Sequence, residues 1–322
     1  MTLDLQKITT FAELDAQLTP PGLSPGGKIW VNLANGILEA YSAYSNNTTP
    51  SLPGYQYVAS IWVQETAEDK IAASTRRLPP PSRPAPEGRF GLPPYQGNTL
   101  FGFAAYANDR SHNLIVLRGT VTDEEAGYDL YGWDKNTACM LPSNNPTQNY
   151  GNVKQDLYDF YTYTDFDFYI SMAASFNTAV TAVANANPGK PWYIAAHSLG
   201  GPLATLGALD AFVSSSYGNS TLSPWLVTFR SLHLGDQAFA TQFKENVPIA
   251  LRVANLCDFV PSLISLEPES PPPDPYVHVG LELTFVWQTW SDWGNHSMQD
   301  IYLPVVLDHL NVIQVGPRKY PQ

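Results

Sequence analysis

The feature that most constrains the fold is a series of short, almost continuously apolar segments separated by stretches of helical spacing. NLIVLRG, PWYIAAHS, WLVTFRSL and PIALRVANL are apolar at nearly every position, as in strands buried on both faces. SMAASFNTAVTAVANAN and GGPLATLGALDAFVSS, lying among them, carry apolar and small residues at helical spacing. YQYVASIWV and LFGFAAYA read as strands ahead of this series, and VHVGLELTF and a final helix, SMQDIYLPVVLDHL, follow it. Strands alternating with helices imply an α/β fold, with a mostly parallel sheet covered by helices on both faces. With 322 residues, 44% of them hydrophobic, the chain is long enough for one large domain with a sizeable core.

Three segments fall outside this alternation. Residues 1–55 form an N-terminal extension, with two amphipathic stretches around the turn TPPGLSPGG; the second is WVNLANGILEAYSAY. Residues 79–95 (PPPSRPAPEGRFGLPPY) read as a long surface loop, because proline lacks a backbone donor and fixes φ. Residues 121–150 place Tyr128, Leu130, Tyr131, Trp133, Met140 and Leu141 among polar neighbours.

Composition narrows the partners. Only 14% of residues are charged and the formal net charge is -12. So acidic a chain repels phosphate backbones and anionic lipid, which argues against nucleic acid as a partner. No metal-ligand spacing occurs, and the two cysteines, Cys139 and Cys257, read as free thiols. The N-terminus has no basic stretch followed by an unbroken apolar core, so it does not read as a secretory signal. No apolar run approaches the roughly 20 residues of a membrane span. A soluble protein is expected, either cytoplasmic or secreted with its leader absent.

The strongest local signal is Ala196-His197-Ser198-Leu199-Gly200-Gly201, between the buried strand WYIAA and the small-residue helix GGPLATLGAL. Strand, sharp turn and helix are the context of a nucleophile elbow. Small residues two before and two after the serine, Ala196 and Gly200, let strand and helix approach. The competing reading is an ordinary helix cap, since serine caps helices well.

From this point the chain resembles the class 3 lipase family, the fungal-type triacylglycerol lipases of the α/β-hydrolase superfamily. Four segments match in order. Ile115–Thr120 (IVLRGT) looks like the family's strand-RG(T/S) oxyanion segment, and the Ser198 elbow follows. Leu226 to Phe239 (LVTFRSLHLGDQAF) is similar to a strand followed by G-D-x-x-F, and Arg252 to Pro261 (RVANLCDFVP) to R-V-x-N-x-x-D-x-V-P. One departure stands out: the family's T-F-G-x-P reads Thr228-Phe229-Arg230-Ser231-Leu232 here. The resemblance implies an α/β-hydrolase fold and ester hydrolysis, which needs no metal or organic cofactor.

Such chemistry needs a serine, a base to activate it, a carboxylate to orient the base, and donors for the oxyanion. In this fold the chain order is serine, acid, histidine, which excludes His112 and His197 as the base. Asp258, just after a buried strand, is the expected acid, with Asp236 the runner-up. His278, His296 and His309 all follow Asp258. His296 opens N-H-S-M-x-x-x-Y, which resembles the H-S-M-x-x-Y segment of bacterial members with one extra residue before Tyr302. His309 sits in Leu307-Asp308-His309-Leu310, like the D-H-L of fungal members, but inside a helical pattern. A loop-to-helix junction presents an imidazole better than a mid-helix position, which favours His296 and leaves His309 as the alternative. The expected oxyanion donors are the amides of Leu199 and Thr120.

In the family the segment after the oxyanion strand forms a lid, so 121–150 is expected either to cover the site or to be a surface loop pinned by its aromatics. Trp287, Trp290 and Trp293 either line an acyl or aryl pocket or are packed into the core. The acidic loop 265–276 lies between acid and base in sequence and is expected to border the crevice. The implied substrate is an acylglycerol, with transient contact at a lipid interface. An aryl or feruloyl-type esterase and a catalytically silent lipid- or protein-binding relative are the alternatives.

Overall fold

The structure, a computed structural model, describes residues 29–64, 98–121, 136–142, 146–162, 171–214, 224–259, 276–307 and 314–315. The proline-rich loop 79–95, residues 122–135 and the loop 265–275 lie outside these, as does His309.

Among the described residues, eight strands form one sheet in the order β1-β2-β3-β6-β7-β8-β9-β10. These are β1 (Tyr55–Gln64), β2 (Asn98–Ala107), β3 (Asn113–Leu117), β6 (Trp192–His197), β7 (Trp225–Phe229), β8 (Ala250–Asn255), β9 (Leu281–Phe285) and β10 (Gln314–Val315). The centre, β3-β6-β7-β8-β9, is parallel. β1, β2 and β10 are added antiparallel at the flanks. Every residue of β3, β6 and β8 is buried, the continuous apolar pattern required of central parallel strands. The chain thus has the α/β-hydrolase fold, a mostly parallel sheet between two helical layers.

The two faces have separate cores. On one, α3 (Met172–Ala186) and α4 (Gly200–Leu209) pack Phe176, Leu203 and Leu206 against Ile115, Ile194 and Leu117. α4 has no polar side: all ten of its residues are buried. On the other face, α1 (Ile29–Asn46) lays Trp30, Leu33 and Ile37 on Val116, Tyr193 and Ala195. Beside α1 lies the C-terminal helical segment, a π-turn at Met298–Tyr302 running into α7 (Leu303–Leu307). The helix read in the N-terminal extension is therefore one of the helices that cover the sheet.

Residues 136–141 and 148–154 form a hairpin of their own, β4 (Asn136–Leu141) and β5 (Gln148–Lys154). Cys139, Leu141 and Tyr150 are buried in the core beneath it. This half of the segment 121–150 is anchored to the core, through buried side chains of β4 and β5. The strand read as VHVGLELTF begins only at Leu281; Val277 makes a single bridge to Gly235, and Gly280 turns with φ 83° between them. Both cysteines are free, Cys139 buried and Cys257 partly so.

Candidate functional site

Parallel strands bring their carboxyl ends to one edge of the sheet. Thr120 follows β3, Ser198 follows β6, Asp258 follows β8, and the segment carrying His296 follows β9. The order of the strands thus gathers four residues widely separated in sequence.

Ser198 sits at the turn between β6 and α4 with φ 53°. A non-glycine residue in the left-handed region costs about 1–2 kcal/mol. The turn is fixed by Ser198 N–H donating to Phe229 C=O (3.0 Å) and Gly201 N–H to Ser198 C=O (2.9 Å). A Cβ on Gly200 would run into the Arg118 carbonyl, so strand and helix approach here only through a glycine. Ser198 Oγ lies 2.8 Å from His296 Nε2, and His296 Nδ1 lies 2.7 Å from Asp258 Oδ2. Asp258 is fully buried, and Ser198 and His296 are nearly so. A neutral imidazole donating from Nδ1 to the carboxylate leaves Nε2 free to accept the serine proton.

The carboxylate has further partners. Tyr302 Oη donates to Asp258 Oδ2 at 2.9 Å. Burial first, and the Asp258 charge second, push the Tyr302 phenol well above its usual range, so it stays a donor. The π-turn at Met298–Tyr302 absorbs the extra residue of N-H-S-M-x-x-x-Y. A widened turn takes one more residue than an α-turn, and Tyr302 still reaches Asp258.

Arg230 stands where the family pattern has glycine, and its φ is 48°. That conformation suits glycine. Here the strain is offset by the side chain, because Arg230 Nη2 donates to the Asp258 backbone carbonyl and Nε lies 3.5 Å from Asp258 Oδ2. Two asparagines tie the Asp258 loop to the His296 loop. Asn255 Nδ2 donates to the carbonyls of Trp287 (2.8 Å) and Asn295 (3.2 Å). Asn295 Nδ2 donates back to Cys257 C=O (3.0 Å). Sequence reasoning missed Tyr302, Arg230, Asn255 and Asn295 as site residues. The R-V-x-N-x-x-D and N-H-S-M-x-x-x-Y patterns contained three of them.

The other candidates fall elsewhere. Asp236 caps α5 (Gln237–Asn246), accepting from Phe239 N–H (2.7 Å), and binds Asn152 (2.9 Å) on β5. His112 is held by Tyr55 Oη (2.7 Å) and Ser111 Oγ (2.8 Å), and burial pushes it down to about 4. His278 stacks on His233 with ring centroids 3.6 Å apart. Leu199, fully buried, opens α4, and partly buried Thr120 lies three residues beyond the end of β3. Trp287 packs on the core, whereas Trp290 is 90% exposed and Trp293 56% exposed. Those two neither line a closed pocket nor belong to the core.

The geometry agrees with what the chain is similar to. Residues 114–267 match the model of the family described as lipase (class 3). A lipase II from Rhizopus niveus superposes with a TM-score of 0.52 at 15% identity, over 87% of this chain and 91% of that one. The Lip2 lipase of Yarrowia lipolytica gives 0.52 at 15%, over 89% and 93%. A lipase from Rhizopus microsporus var. chinensis gives 0.52 at 16%, over 80% and 74%. At such identities these structures speak for the fold. No curated protein sequence matches the chain. The matched segment holds Thr120, Ser198 and Asp258 within that fold, and over residues 114–267 the chain is similar to the class 3 lipases.

Proposed function

We propose that the protein hydrolyses carboxylic esters, acylglycerols first among them, through an acyl-enzyme on Ser198. The observation that carries this reading is the unbroken hydrogen-bond chain Ser198 Oγ–His296 Nε2–His296 Nδ1–Asp258 Oδ2. Ser198 Oγ attacks the ester carbonyl carbon as His296 Nε2 takes its proton, and Asp258 steadies the imidazolium. The amides of Leu199 and Thr120 receive the oxyanion; removing one such donor costs about 10²–10³ in turnover. Collapse breaks the bond to the alkoxy oxygen, which leaves as the alcohol with the proton from His296. Water, deprotonated by the same imidazole, then releases the acid. No metal or organic cofactor enters these steps.

Contact with a neutral lipid–water interface is part of the proposal. Val286 (67% exposed), Trp290 and Trp293 are exposed large hydrophobic residues on the segment between β9 and His296, which also carries Asp292, at the sheet edge that carries the site. Exposed apolar clusters of this kind mark interaction sites. None of the helices searched among the described residues is long and apolar enough to cross a membrane.

The test is hydrolysis of p-nitrophenyl butyrate and palmitate by wild type, Ser198→Ala, His296→Ala and His309→Ala. Loss in the first two with retention in the third supports the assignment. A dead His309→Ala beside an active His296→Ala moves the base to residue 309. The palmitate-to-butyrate ratio separates lipase from short-chain or aryl esterase, and a silent wild type removes the enzymatic reading.

A further inference from the structure

We propose that Tyr41 and His197 form a positioning relay joining the strand end before Thr120 to the peptide of His296, so that helix α1 is part of the catalytic framework. This rests on the triad and oxyanion assignment above. Gly119 N–H donates to Tyr41 Oη at 2.7 Å. Tyr41 Oη lies 2.8 Å from His197 Nδ1, and His197 Nε2 lies 3.0 Å from the His296 carbonyl oxygen.

The proton positions follow from chemistry. A carbonyl only accepts, so His197 Nε2 carries the hydrogen. A neutral imidazole has one N–H, so Nδ1 accepts and Tyr41 O–H donates to it. Burial, with the neighbouring His296, pushes His197 well below its ordinary range and keeps it neutral. The chain therefore runs in one sense from Gly119 N–H to His296 C=O, and hydrogen bonds aligned in this way strengthen one another.

Both ends of the relay matter for rate. Gly119 precedes the amide of Thr120, and there is no slack beside it: a Cβ there would meet Tyr41 Oη at 2.5 Å and Ser198 Cβ at 2.7 Å. At the other end, the His296 peptide sets where its imidazole stands relative to Ser198. The sequence explains the placement. Strand alternation puts Tyr193, Ala195 and His197 on the α1 face of the sheet. On α1, Leu33, Ile37, Tyr41 and Tyr44 follow the stripe that faces it. Tyr44 stacks under the buried Arg118 guanidinium at 4.2 Å, and Arg118 Nη1 donates to Gly119 C=O at 2.7 Å. The same helix thus holds the 118–119 segment twice.

His197 was set aside in the sequence because it precedes the acid and cannot be the base. Its partners give it a different task. It touches no substrate; it acts through Gly119 and His296.

The test is kcat and KM for p-nitrophenyl butyrate with Tyr41→Phe, His197→Leu, His197→Gln and the Tyr41→Phe/His197→Leu double variant, each folded by its thermal midpoint, beside Ser198→Ala. Tyr41→Phe is expected to lower kcat about 10- to 100-fold with KM nearly unchanged, since misplacing the reacting groups slows chemistry more than binding. His197→Gln, whose amide has a donor and an acceptor, should recover much of what His197→Leu loses. The double variant should be no slower than the worse single one, as for residues acting in one unit. A Tyr41→Phe enzyme with wild-type kcat, or two effects that multiply, overturns the relay while leaving the Ser198 reading intact. Turnover that survives in Ser198→Ala removes both.

Discussion

The protein holds two close pairs of histidines, and they have opposite characters. His197 and His296 have ring centroids 4.8 Å apart, and each of their four ring nitrogens has a hydrogen-bond partner: Tyr41, the His296 carbonyl, Asp258 and Ser198. His233 and His278 stack more closely, at 3.6 Å, yet His278 Nδ1 is buried without a hydrogen bond among the described residues. Burial pushes His233 down to about 3, with help from Lys154, Arg252 and Arg230, and pushes His278 well below its usual range, with Arg252 next. Proximity of two imidazoles therefore does not make a site. What makes one is a carboxylate and a hydroxyl on the two nitrogens of a single ring. The second pair lies among cations, where a proton is unwelcome.

That contrast can be broken most sharply at His296. His296→Ala should lower kcat by about 10⁶, close to Ser198→Ala, and the double variant should be no worse, because the two act as one unit. Steady-state hydrolysis of p-nitrophenyl butyrate measures this. Asp258→Asn should cost about 10⁴ in kcat while the protein stays folded, since the asparagine favours the wrong imidazole tautomer. Tyr302→Phe removes one of the donors to that carboxylate and should lower kcat about tenfold, read in the same assay.

The second pair is expressed in stability. His112, His197, His233 and His278 are all held neutral below their ordinary range in the folded protein. The unfolded chain takes up these protons below about pH 6.5, so the contribution is complete above that pH and declines as pH falls toward 3–4. Each histidine costs at most about 1.4 kcal/mol per pH unit over its window. The thermal midpoint should therefore fall steadily between pH 7 and 4. His278→Phe should flatten that decline and, by removing an unpaired buried nitrogen, leave kcat at pH 7 nearly unchanged. A kcat loss like that of His296→Ala would end the distinction between the pairs.

Much of the fold was legible because burial on both faces writes continuous apolar runs. NLIVL, WYIAAH and ALRVAN became the fully buried β3, β6 and β8. β4 and β5 were not legible. NTACML and QNYGNVK bury alternate residues only raggedly, and their pairing has a register shift between Ala138 and Met140. β10 has two residues, too few for any pattern. At the site, the sharp turn at Ser198 and the place of Asp258 after a buried strand could be read from local spacing. The choice of His296 came from a positional argument, and the structure places its ring between Ser198 and Asp258. Tyr41 was invisible as a site residue, since nothing local distinguishes a tyrosine facing the core from one that holds a catalytic segment. Arg230 appeared only as a departure from a pattern; its positive φ and its grip on Asp258 required coordinates.

The sequence separations in the site carry a consequence for how the molecule comes into being. Tyr41 and His197 are 156 residues apart, His296 and Ser198 are 98, and Tyr302 and Asp258 are 44. Contacts spanning such distances form late, after most loop-closure entropy has been overcome. A ribosome-bound chain that has already exposed Ser198 is still 98 residues short of its hydrogen-bond partner His296. The hydrogen-bonded cluster at the sheet edge is therefore completed only with the final closing of the chain.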